Sequence, residues 1–221
     1  MKHLNSLFLA TTSLLAAASI VTATHAEEDH LDIWVSASGG SLFTGGFDHT
    51  TETVVTESLR VFEGEFGIDP SFPFSGDEPG ISSDLVGATL TFNLLQGLGA
   101  WNGGGFDVAT TTLLASYGGQ DALSSTGGSF SFLVSEDLDL HPEFTMLGAG
   151  GSDPANGIYL ASVTFSSAGL ADSETMWIVF NLGMDEAEHA AATEWVEANL
   201  VPAPGALALL ALAGAMRRRV R

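Results

Sequence analysis

Four histidines lie between residues 27 and 200: His30, His49, His141 and His189, in a chain with no cysteine. Any transition-metal site must therefore draw on imidazole and carboxylate, and thiol catalysis is excluded. Two of the histidines are followed at x+2 by an acid, in His30-Leu31-Asp32 and His141-Pro142-Glu143. On a strand, x+2 spacing puts both side chains on one face. Two imidazoles with one or two carboxylates are a competent set for Zn²⁺. His30, Asp32, His141 and Glu143 are accordingly the candidate metal ligands, with ordinary exposed polar positions as the opposing expectation.

Calcium is the competing ion. Asp137 and Asp139, then Asp69 with Asp77 and Glu78, and Asp153 near Gly151 and Asn156 are loop oxygens of the kind Ca²⁺ takes. None has the spacing of an EF-hand loop, and each alone reads more readily as a turn. Catalytic signatures are missing: there is no nucleophile elbow, phosphate loop, dinucleotide fingerprint or His-Glu-x-x-His helix. A non-catalytic protein is expected. Trp34 and Trp101 would suit stacking on sugars if exposed, whereas Trp177 is assigned to the core.

The elements that position these residues read as strands. Leu31, Ile33 and Val35 alternate with Asp32, Trp34 and Ser36, and period-two apolar runs recur at Val86 to Leu94, Phe130 to Val134, Tyr159 to Phe165 and Met176 to Leu182. Glycine pairs such as Gly39-Gly40, Gly127-Gly128 and Gly150-Gly151 punctuate the runs. Period-two hydrophobicity between turns is the mark of half-buried antiparallel strands. Roughly eight to ten of them predict an all-β fold, an antiparallel β-sandwich of jelly-roll type. The segment 67–83, rich in Asp and Pro, is expected to be a long ordered loop. One C-terminal amphipathic helix is predicted over 184–200. It has an acidic first turn, and Ala187, Ala191, Trp195, Val196 and Leu200 form its apolar face.

Charge restricts the partners. All 27 Asp and Glu fall within 27–200, against Arg60 alone, a formal charge of −26 on the body. Such a surface repels nucleic acid and collects cations.

The two ends carry addresses. Lys2 and His3 precede an apolar stretch from Leu7 to Val21 and the small-x-small Thr24-His25-Ala26. This reads as a signal peptide over 1–26, handled by the Sec machinery. The end, 201–221, runs Val201-Pro202-Ala203-Pro204, an apolar segment, then Arg217, Arg218 and Arg219. It resembles the PEP-CTERM sorting signal, with Pro-Ala-Pro where the family has Pro-Glu-Pro. The resemblance implies an exosortase-like sorting protease as partner and passage through the inner membrane. Gly205 to Met216 would span about 18 Å as helix, against a hydrocarbon core of roughly 30 Å. A transient anchor, cut near Pro202–Gly205, is therefore expected, leaving the body at the cell surface or outside the cell.

The body, 27–183, supports a second resemblance. His30-Leu31-Asp32-Ile33, His141-Pro142-Glu143-Phe144 and Asn156-Gly157-Ile158-Tyr159-Leu160 resemble the bacterial choice-of-anchor surface-anchored proteins. That resemblance implies a surface domain with a metal site, not an enzyme. The functional expectation is an exported envelope or extracellular-matrix protein binding a divalent metal, zinc or calcium. The alternative is a carbohydrate-binding module for secreted polysaccharide.

Overall fold

A computed structural model describes residues 31–202. The expected signal peptide, His30, Ala203, Pro204 and Arg217 to Arg219 lie outside the described residues. The described chain is all-β with one α-helix, as the alternating runs predict.

Its strands in chain order are β1 (Asp32–Ser38), β2 (Ser41–Asp48), β3 (Thr53–Thr56), β4 (Val61–Glu65), β5 (Ser75–Gly76), β6 (Ile81–Ser83), β7 (Thr89–Leu94) and β8 (Gly99–Trp101). There follow β9 (Phe106–Val108), β10 (Thr112–Tyr117), β11 (Gln120–Leu123), β12 (Gly127–Leu133), β13 (Glu143–Leu147), β14 (Gly157–Ser167) and β15 (Met176–Leu182). Helix α1 covers Glu186–Asn199.

The strands form two sheets. A four-stranded sheet has the order β3-β2-β1-β6, and the larger one runs β4-β15-β14-β7-β12-β11-β10-β13-β5, with β8 and β9 attached through β14. Most pairings are antiparallel, but β1 with β6 and β15 with β4 are parallel. One hydrophobic cluster joins the sheets: Ile33, Val35, Leu42 and Ile81 from the small sheet meet Phe92, Phe130, Phe144, Phe165 and Phe180 from the large one. Phe92 stacks on Phe130 with ring centroids 4.7 Å apart and receives the edge of Phe165 at 5.7 Å.

The strand expectations hold for Ile33 and Val35, for Leu90, Phe92 and Leu94, and for the alternating residues of β14 and β15, all buried. Val86 and its neighbours depart from them. Gly87 at φ 84° ends a turn, Val86 is exposed, and the strand starts only at Thr89. The segment 67–83 is not wholly loop either, since it supplies β5 and β6.

Helix α1 forms within the predicted span and buries the predicted face in part, with Val196 buried and Trp195 and Leu200 packed against the same cluster. His189, Ala192 and Val196 face inward, while Ala187 and Ala191 are exposed. They pack with Val61, Ile158, Leu160 and Val179 in a second cluster on the outer side of β4, β15 and β14. That cover explains why Ile158, Leu160 and Val179 are buried although they alternate with core residues. Trp177 belongs to this second layer rather than the main core, with the Arg60 guanidinium 5.1 Å over its ring. No helix among the described residues is long and apolar enough to cross a membrane.

Candidate metal centre

Asp32, His49, Asp139 and His141 converge, with one ligand atom from each lying within 4.8 Å of all the others. Three pieces of chain bring them together. Asp32 opens β1, and the Gly39-Gly40 turn fixes the antiparallel register that sets Asp32 opposite Phe47. His49, two residues beyond Phe47, follows the end of β2. Asp139 and His141 flank Leu140, whose backbone pairs with Ile81 next to β1. Leu140 turns into the core, so its two neighbours project to the other side.

Contacts within the group are close. His49 Nε2 lies 2.5 Å from Asp32 Oδ2 and 3.2 Å from Asp139 Oδ1, and His141 Nε2 lies 2.9 Å from Asp139 Oδ1. Asp32 is 2% exposed. Its Oδ1 accepts the Gly80 amide at 2.7 Å. Its Oδ2 is buried without a hydrogen bond, because the contact with His49, though short, is not aligned as one. An unsatisfied buried carboxylate oxygen is costly unless a cation or proton compensates it.

The groups that touch the four side chains set their chemistry. His141 Nδ1 sits 3.1 Å from the Asp77 carbonyl and Nε2 2.9 Å from Asp139 Oδ1, both acceptors, so a neutral ring donates to only one of them; a metal on Nε2 requires the tautomer in which Nδ1–H donates to Asp77. In that tautomer Nε2 offers a lone pair toward Asp139, an arrangement that metal-ligating histidines ordinarily adopt. Acceptor faces acceptor at 2.9 Å unless a proton or metal ion intervenes. Glu78 adds a further carboxylate, with Oε1 3.5 Å from His141 Nδ1 and Oε2 accepting the Gly80 amide at 3.1 Å. Burial, reinforced by the Asp32 charge, pushes the Glu78 carboxyl up to about 7. Burial works against charge on His141, but Glu78, Asp32, the Asp77 carbonyl and Asp139 outweigh it and hold the imidazole above its usual value.

The geometry favours zinc over calcium. Tetrahedral ligands at about 2.0–2.1 Å from Zn²⁺ stand about 3.3 Å from one another; the 2.9 and 3.2 Å contacts lie near that spacing, and the 2.5 Å contact between His49 and Asp32 is shorter. Calcium takes six to eight oxygens at longer range, and half of this set is imidazole. A cleft of about 500 Å³ opens beside the group, lined by His49, Asp139, Trp34 and Phe47.

The ligand set from the sequence is thus half retained. Asp32 and His141 meet, and His30 lies outside the described residues. Glu143 is not in the group. Between Leu140 and Glu143 the chain passes from a bridge with β6 to the larger sheet, where Glu143 pairs with Ser116 on β10. Asp139, read from the sequence as a loop oxygen, is a member. His49 is the residue the x+2 pattern missed, and the two-residue turn at Gly39-Gly40 was the signal that could have found it.

No protein-family model matches the chain, and no curated protein matches it.

Proposed function

We propose that this is a non-catalytic, exported cell-surface or extracellular-matrix protein that binds a divalent metal, zinc, through Asp32, His49, Asp139 and His141. The observation that carries the reading is the buried Asp32 Oδ2, which lacks a hydrogen bond and faces an imidazole nitrogen. The two sheets closing on one core support the finer architecture, a sandwich of jelly-roll type. The N-terminal address and the Val201 to Arg219 tail support Sec export and exosortase-like sorting, with passage through the inner membrane. The −26 body supports a cation-collecting role and no nucleic-acid partner.

Metal analysis of the purified protein tests it. His49→Ala and Asp139→Asn should each remove one equivalent of zinc, while Glu143→Ala should keep it. Equal metal content in all three variants and the parent would refute the assignment. A second reading, a module for extracellular polysaccharide, draws on Trp34 lining the cleft. It requires no zinc at the Asp32 centre, so the loss of one equivalent in His49→Ala separates the two. Trp101 does not serve that reading, being packed against Phe106 and Trp195.

A further inference from the structure

On the outer side of the larger sheet, Glu65, Glu186 and His189 also bring one ligand atom each within 4.8 Å of one another. Glu65 ends β4, on the strand face that carries Val61 and that α1 covers. Glu186 and His189 stand at i and i+3 in the first turns of α1, hence on one helix face. The Glu-x-x-His spacing puts a carboxylate and an imidazole on a single metal in helical carboxylate proteins.

His189 is the independent observation. It is 1% exposed, and its Nε2 sits 2.9 Å from the Val179 carbonyl, which can only accept. Nε2 therefore carries the proton in the neutral ring, and Nδ1 presents a lone pair. Glu186 Oε2 lies 3.7 Å from that nitrogen, within ion-pair range but beyond hydrogen-bond distance. A salt bridge from a protonated ring would close to about 2.7–2.9 Å. A metal between the two groups needs a wider gap, about 3.3 Å for tetrahedral zinc. A backbone carbonyl that accepts from the far nitrogen is the arrangement that orients ligating histidines.

We propose that Glu65, Glu186 and His189 form a second divalent-metal site, a zinc clamp tying the start of α1 to the end of β4. It goes beyond the centre at Asp32 and stands independently of it. Three protein ligands leave a fourth position for water, since Glu186 is about half exposed. The positive end of the helix dipole works against a cation here, and Asp185, Glu186 and Glu188 oppose that effect. The clamp would hold α1, the element that leads into the C-terminal tail, against the sheet.

Zinc and cobalt titrations of the full chain test the proposal, using the His49→Ala/Asp139→Asn variant to silence the first centre. That variant should still bind one equivalent, with tetrahedral cobalt absorption. Adding Glu65→Gln should weaken the remaining binding at least tenfold. Glu63→Gln should leave it intact, because Glu63 accepts the Thr193 hydroxyl on the same face instead. Amide exchange in α1 should slow on adding zinc and lose that response in Glu65→Gln, whose fold is checked by circular dichroism. No binding by the silenced variant, or binding indifferent to Glu65→Gln, would overturn the clamp. A parent that binds one equivalent, lost in Glu65→Gln but kept in His49→Ala, would establish the clamp and refute the first centre.

Discussion

Removing metal and raising pH should destabilise this protein through Glu78 and His141. A carboxyl whose pKa rises on folding holds its proton more tightly in the native state. Its contribution is complete below the unfolded value, near 4.5, and is lost as pH climbs through about 7. With one pKa unit worth about 1.36 kcal/mol, a change from pH 5 to pH 8 removes about 2.5 kcal/mol from Glu78. His141, also raised, acts with the same sign. Most other carboxylates have already ionised by pH 5, so they add little across this window. For a domain of this size 1 kcal/mol corresponds to about 2–4 °C in Tm, so the metal-free protein should melt about 5–10 °C lower at pH 8. Scanning calorimetry in excess chelator measures it, and Glu78→Gln should flatten most of the dependence. Zinc competes with the same protons, so its stabilisation should grow over that interval. A chelated protein with equal or higher Tm at pH 8, or an unaltered slope in Glu78→Gln, would refute the reasoning.

A β-carbon at residue 80 would lie 2.7 Å from Asp32 Oδ2 and 2.9 Å from Oδ1. Gly80→Ala should therefore cost about 1–3 kcal/mol by overpacking and empty the first centre, as read by thermal melting and metal content; neither change would show that Asp32 moves freely. Mass spectrometry of the exported protein should find a mature start near Glu27 and an end near Pro202–Gly205. A chain intact from Met1 to Arg221 would remove the export and sorting steps.

Periodicity made the strands legible because one face of each was to be buried and the other wetted. Where that premise failed, the sequence misled. Strands β14 and β15 are covered on both sides, and the helix that covers them packs His189 and Ala192 inward beside the expected Val196, while Ala187 and Ala191 of the expected face stay exposed. Alanine contributes little burial energy, so its spacing says little about which way a helix turns, whereas His189 finds a partner in the Val179 carbonyl.

Local sequence by itself determined the all-β class, the single helix, the cation-collecting charge and the supply of ligands without thiols. It also placed Asp32 and His141 among the candidates, since residue type and short-range spacing are enough to propose a ligand. Only the tertiary structure decided which ligands meet. Metal geometry depends on contacts between segments far apart in the chain, here residues 32, 49, 139 and 141. The Gly39-Gly40 hairpin swings His49 back beside Asp32, and the bridge from Leu140 to Ile81 brings in Asp139 and His141 while Glu143 departs with the other sheet. An x+2 pair shares a face only while its strand stays in one sheet, and this chain changes sheets within three residues of His141.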